Sequence, residues 1–109
     1  MVFKDAYVPY DRLVGEEGQG WQQAMAELAF ERSGPERYLS SFLLLRELVR
    51  EVEPTDLAAR RMIGRSVTHM ATLRQMSLSV AGMLNDGKAP ALEASVVKDL
   101  GTTFEQELP

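Results

Sequence analysis

The sequence predicts an all-α protein, an up-down bundle of three long helices preceded by a short extended N-terminal segment. From residue 18 onward, apolar residues recur every three or four positions, which is the period of a helix with one buried face. Pro35 and Pro54 interrupt this pattern, and the turn-forming run NDGKAP interrupts it a third time. Because three helices are one fewer than in the commonest closed bundle, we interpret the layout as a partial four-helix bundle.

The N-terminal residues differ in composition from the rest of the chain. Residues 2–14 are rich in β-branched and aromatic side chains and contain Pro9, a pattern typical of an extended or edge segment. The glycines of GEEGQGW, residues 15–21, predict a flexible turn that leads into a helix. We therefore predict an extended segment over 1–17, interpreted as the remnant of a β-domain and a linker, and a helical domain over 18–109.

The first helix is predicted to begin just after Gly18 and to bend near Gly34. Its apolar stripe consists of Trp21, Met25, Leu28 and Ala29. Pro35 has no N–H to donate to the carbonyl of Glu31, so the helix must kink or restart there. Beyond this bend the apolar face is predicted to continue through Leu39, Phe42, Leu43, Leu45, Leu48 and Val49.

Two further helices are predicted. One starts near Asp56, with Thr55 as its cap, and ends at the NDGKAP turn. Its core positions lie close to a heptad register: Ile63, Val67, Met70, Leu73, the polar Ser77, Val80 and Leu84. The last helix covers 91–108, and its predicted apolar stripe is spaced four residues apart, at Leu92, Val96, Leu100 and Phe104.

Composition excludes several classes of function. The net charge is -4 and no block of like charges occurs, so we predict no binding to nucleic acid or to an anionic membrane. Cysteine is absent and His69 is the lone histidine, which excludes structural zinc and leaves no candidate metal ligands. No leader-like N-terminus and no long apolar run are present, so we predict a cytoplasmic protein without membrane insertion.

Glu31 and Arg32 are the strongest candidates for a catalytic or binding role. By helical angle Glu31 lies on or next to the apolar face, where loss of hydration would raise the pKa of its carboxyl group and make it a stronger base. The alternative is an ordinary acid that faces water or pairs with Arg61 or Arg65, and on the residues alone this is the commoner case. Arg32 could bind an anion or hold Glu31, although a solvated arginine is more common. His69 is interpreted as a half-buried core histidine.

Two stretches resemble the acyl-CoA dehydrogenase family. The run VPYDRLVGEEGQGWQQAMAELAFER, residues 8–32, is similar to the stretch of these enzymes where the middle β-domain leads into the C-terminal helical domain. It contains a V-P, a spacer, L-V-G-E-x-G-x-G-W and a helix that ends in E-R. The run APALEASVVKDLGT, residues 89–102, resembles the start of the third helix of that domain, G/A-P-x-x-x-A-S-x-x-K. The remaining helix fits between the two stretches by length and pattern.

The resemblance implies a role in FAD-dependent dehydrogenation of an acyl-CoA thioester, as in fatty acid metabolism. In one branch of the family, the E-R pair of this helix supplies the base that removes the α-proton, and Glu31 matches it. Arg32 would then support the base or the substrate, and the β-hydride would pass to the flavin, whose redox chemistry belongs to the cofactor. The resemblance also implies a homo-oligomer or hetero-oligomer formed through helical faces.

Three departures from the family pattern limit what can be carried over. Many members have Asp two residues before the base, where this chain has Ala29. Many also have an R-x-x-F-G motif whose arginine reaches a flavin phosphate, and residues 50–65 contain none, so no flavin-binding residue is assigned. Most of the family's other domains have no counterpart in these residues. We therefore expect this chain alone to be inactive, and keep a non-catalytic oligomerisation module or partner subunit as the alternative.

Overall fold

The computed structural model describes residues 2–108, apart from the side chain of Ala29, and its regular elements are all helical. The predicted all-α class is therefore confirmed. Three parts of the prediction lie outside the described residues: Met1, Pro109 and the side chain of Ala29. Met1 and Pro109 are the outer ends of the two predicted segments, and Ala29 belongs to the predicted stripe of the first helix. The α-helices are α1 Gly20–Arg32, α2 Glu36–Leu39, α3 Phe42–Glu51, α4 Leu57–Asn85 and α5 Ala91–Glu107.

The N-terminal segment lies outside the core, and the side chain of Gln23 in α1 contacts it at Gly15. Residues 2–19 are all exposed, and their one regular element is a short 3-10 helix, Tyr10–Arg12. No β-strand forms among the described residues, because an extended segment needs a neighbouring strand to satisfy its backbone groups. The predicted turn is present: Gly15 and Gly18 have φ angles of 78° and 85°, a left-handed conformation that glycine adopts at no steric cost.

The predicted bend after the first helix is confirmed. α1 ends at Arg32, and α2 begins immediately after Pro35, whose φ of -64° suits the start of a helix. The sequence pattern did not predict a second interruption, at Ser40 and Ser41, which separates α2 from α3. At this point the Ser40 hydroxyl donates to the carboxylate of Glu105 in α5, so the break coincides with a contact between helices.

The start of α4 corrects one predicted residue. Asp56, and not Thr55, is the N-cap, because its carboxylate accepts a hydrogen bond of 2.9 Å from the backbone N–H of Ala59. At the other end, α4 stops at Asn85 and Gly87 adopts a φ of 73°, as the NDGKAP run predicts.

Replacing Asp56 with alanine is expected to lower the free energy of unfolding by about 1 kcal/mol, the usual loss for an N-cap residue. Urea denaturation followed by circular dichroism measures this change. Thr55→Ala is the matched control, and it should alter the free energy by less than about 0.5 kcal/mol. Equal losses in the two variants would contradict the assignment of the cap to Asp56.

The core lies where α4 and α5 pack together, and α2 and α3 contribute side chains to it. One cluster contains Leu45, Leu73, Phe104 and Leu108, and a second contains Val80, Ala94 and Val97. The predicted heptad register of α4 is confirmed at its buried positions, Leu73, Ser77 and Val80, whereas Val67 is exposed.

The predicted apolar stripe of α5 is confirmed at Phe104 and in part at Leu100, which packs against the core, and is wrong at its first two positions. Leu92 and Val96 are exposed, and Leu100 is half-buried. The buried positions are instead spaced alternately three and four apart: Ala94, Val97, Gly101, Phe104 and Leu108. A strict spacing of four drifts around the helix by about 40° per step, whereas alternating steps of three and four keep facing the same neighbour.

The molecule is thin and open. Its principal extents are 66 × 33 × 18 Å, and its radius of gyration is 19.7 Å, compared with about 13 Å for a compact domain of this length. Many large apolar side chains are exposed, and the predicted stripe of α1 is among them: Trp21 is 75% exposed and Met25 is also exposed. Within the described residues, no helix has both the length and the apolar character to cross a bilayer.

Candidate functional site at the end of helix 1

The carboxylate of Glu31 faces solvent at the C-terminal end of α1. Its side chain has no hydrogen bond or ion pair among the described residues, so the pairing with Arg61 or Arg65 that we considered does not form. The expected apolar shoulder is open in this chain, since Phe30 next to it is 59% exposed. The role of Glu31 as a base therefore stays a prediction, and it requires cover from outside the described residues.

Arg32 is half-buried and ties α1 to α5. Its Nη1 donates a hydrogen bond of 3.2 Å to the hydroxyl oxygen of Ser95. The Ser95 hydroxyl donates in turn to the carbonyl of Ala91 at 2.8 Å, which fixes its position on the first turn of α5. Arg32 thus acts in this chain as a positioning residue for the end of α1, directly beside Glu31.

This contact joins the two sequence stretches that resemble acyl-CoA dehydrogenases. Arg32 is the last residue of the first stretch, and Ser95 lies in the A-S-x-x-K part of the second. They are 63 positions apart in sequence and meet through one hydrogen bond. The helical end of the first stretch and the start of the second therefore meet at the junction of α1 and α5.

Ser77 fixes the same region from α4. Its hydroxyl donates to the backbone carbonyl of Ser33 at 2.5 Å, and both residues are buried. Ser33 is the C-cap of α1, where carbonyl groups lack partners within the helix, so a hydroxyl at this position satisfies one of them. The sequence showed Ser77 only as a polar interruption of the register, and its partner could be identified only in three dimensions.

α2 and α5 approach each other closely at Gly101. A Cβ atom at Gly101 would lie 2.9 Å from the Cβ of Arg37 and 3.0 Å from its carbonyl oxygen. Arg37 itself is largely covered, with a side-chain exposure of 17%, and its Nη2 donates to the carbonyl of Glu31 at 3.5 Å. The segment after Glu31 is therefore held from three sides, by α5 through Arg32, by α4 through Ser77 and by α2 through Arg37.

His69 is half-buried, as predicted, and contacts the core. Its imidazole meets Phe104 edge to face, with ring centroids 5.1 Å apart. The described residues contain no group of three side chains that could hold a metal ion. His69 lines an open groove between α4 and α5 rather than the site around Glu31.

The arrangement around Glu31 supplies an exposed carboxylate on a fixed backbone. Among the described residues, neither Glu31 nor Arg32 lines any of four open surface depressions of about 320–510 Å³. A flavin requires an enclosed slot and donors for its phosphates. The described residues around Glu31 do not form such a site. Guanidinium groups without partners, those of Arg61 and Arg65, line a different depression, the open groove between α4 and α5.

Comparison of the chain with protein-family models, with characterised proteins and with solved structures gives no match. The case for a family therefore depends on the residue order of the two stretches and on their contact in space.

Proposed function

We propose that these residues form part of a FAD-dependent acyl-CoA dehydrogenase, comprising the end of the middle β-domain and the first three helices of the C-terminal helical domain. The observation that carries this proposal is the hydrogen bond between Arg32 and Ser95. Two stretches far apart in sequence resemble the same domain of one family, and their contact is what a shared domain requires. Within the proposal, α1 to α3 together form one interrupted helix, and with α4 and α5 they are three members of an up-down four-helix bundle in a cytoplasmic enzyme.

Glu31 is the proposed base that takes the α-proton of the acyl thioester. An exposed carboxylate is a weak base, and burial under another domain or subunit would remove its water and strengthen it. Three contacts hold the adjacent backbone, so such a cover would meet a carboxylate carried on a fixed segment of the main chain. Because the described residues do not form a flavin site, FAD is assigned to the complete enzyme, and this chain alone is proposed to be inactive.

A second candidate is a non-catalytic helical module or partner subunit that packs against other chains. It is favoured by the accessible surface of 8561 Å². A compact monomer of 12.2 kDa exposes about 6,000 Å², so the excess is about 2,500 Å². The exposed N-terminal segment accounts for part of this excess, and exposed apolar side chains on the helices, such as Phe30, Leu43 and Val49, contribute to it as well.

The two candidates are distinguished by assaying the natural gene product that contains these residues. The dehydrogenase proposal predicts that the product retains FAD through gel filtration and reduces an artificial electron acceptor when an acyl-CoA is added. A stable oligomer without flavin and without acyl-CoA turnover would reject the dehydrogenase and support the packing module. A monomer across a concentration series, examined by sedimentation velocity, would reject the packing module.

A further inference from the structure

Helix α4 carries a charge opposite to that of the whole chain. Residues 57–85 contain four arginines and no acidic residue, although the net charge of the protein is -4. Two of these arginines, Arg61 and Arg65, are exposed and have no hydrogen bond or ion pair among the described residues. Arg60 differs from them, since its Nη1 donates to the carbonyl of Pro54 at 3.2 Å. Arg74 is likewise exposed and without such a partner among the described residues, so α4 presents three guanidinium groups with unused donors.

Arg61 and Arg65 line a groove of about 470 Å³ between α4 and α5. They are one helical turn apart, which places them on the same face of α4, and His69 follows after one further turn. Ser66 also lines the groove, but its hydroxyl already donates to the carbonyl of Met62 at 3.1 Å. The side chains on this wall with unused donors among the described residues are therefore the two guanidinium groups and the imidazole of His69.

The rest of the groove is largely apolar. Phe104 and Leu108, both part of the buried core, contribute from α5, and Met62 contributes from α4. The contact between His69 and Phe104 joins the two walls. Glu107 is the one acidic residue that lines the groove. A ligand with charges along its whole length would meet both this carboxylate and the apolar wall, so the groove favours a single anionic group on an apolar body.

We propose that this groove binds a small organic oxyanion, a carboxylate or a phosphate monoester carried on a short apolar body. Arg61 and Arg65 would hold the anionic head, because guanidinium groups donate paired hydrogen bonds to such oxygens. The apolar body would lie against Phe104, Leu108 and Met62. The site is separate from Glu31 and does not depend on the proposed function.

The unique histidine provides a direct measurement. Because His69 is the one histidine of the chain, its imidazole NMR signals are assigned directly, and they report on the groove and on the adjoining depression that His69 also lines. Phenylbutyrate and phenylethyl phosphate are titrated separately to distinguish a carboxylate from a phosphate head. Phenylbutanol supplies the body without the charge, and acetate and inorganic phosphate supply the charge without the body. We expect saturable shifts with at least one of the two anions that carry a body, and affinity at least about tenfold weaker for phenylbutanol.

The double variant Arg61→Gln/Arg65→Gln should weaken anion binding by about tenfold or more. The matched control is Arg60→Gln/Arg74→Gln, which removes the same charge from the same helix but outside the groove, and it should change affinity by less than about twofold. Circular dichroism verifies that both variants fold.

Four results would overturn the proposal. The first is the absence of a saturable shift, and the second is an equal response to phenylbutanol. The third is an equal response to acetate or inorganic phosphate, which would indicate an adventitious ion only. The fourth is an imidazole shift that follows protein concentration alone and disappears in Arg61→Gln/Arg65→Gln, because the groove would then be occupied by a second copy of the chain.

Discussion

The substitution Glu31→Gln is expected to lower acyl-CoA turnover by the natural gene product by roughly 10²–10⁴-fold, the usual contribution of a general base. Glutamine keeps the size and the hydrogen-bonding oxygen of the side chain but cannot take up the α-proton. Because Glu31 has no hydrogen bond or ion pair to its side chain among the described residues, the substitution breaks no such contact of this chain. Steady-state kinetics with an artificial electron acceptor measure the loss.

Glu27→Gln is the matched control for this experiment. Glu27 lies one turn earlier on α1, is also exposed, and loses the same negative charge on substitution. The acyl-CoA turnover of the Glu27→Gln variant should stay within about threefold of the turnover of the unmodified protein. Unchanged turnover in Glu31→Gln, with normal folding and FAD content, would contradict the assignment of the base. Equal losses in both variants would point to the charge of α1 rather than to proton transfer.

The helix boundaries could be predicted from sequence wherever local chemistry determines them. Pro35 cannot continue the hydrogen bonding of α1, and Gly87 can adopt a left-handed φ that ends α4, so both stops follow from single residues. The register of α4 was equally clear at Leu73 and Val80, because one face of this long helix is buried.

The buried face of α5 and the surroundings of Glu31 could not be predicted from single residues in this way. Both depend on which neighbour covers a helix face. The apolar Leu92 and Val96 suggested a buried stripe, but on another face of α5 the helix α4 packs against the smaller Ala94, and α2 packs against Gly101. Small residues carry little hydrophobic signal, although they allow the closest approach of two backbones. For Glu31, apolar neighbours in sequence suggested burial, yet its side chain is on the exposed side of α1, whereas the adjacent Arg32 and Ser33 contact α5 and α4.

Gly101 shows most directly what a small residue contributes here. Replacing it with alanine is expected to lower the free energy of unfolding by about 1–3 kcal/mol, the usual cost of overpacking a tight contact. Two effects oppose each other, because alanine in a helix interior is favoured over glycine by about 1 kcal/mol. The steric effect should prevail, since the new methyl group would meet the Cβ and the carbonyl oxygen of Arg37, and neither atom can move without displacing α2.

Gly82→Ala separates these two effects. Gly82 lies within α4, and a Cβ atom there would meet nothing within 4 Å, so this substitution should raise the free energy of unfolding by up to about 1 kcal/mol. Urea denaturation of both variants gives the comparison, with unchanged m values as the check that the denatured states are equivalent. If Gly101→Ala stabilised the protein as much as Gly82→Ala, α2 would not pack on α5 at this distance. The backbone after Glu31 would then lack one of its three supports, and its fixed placement would depend on Arg32 and Ser77 alone.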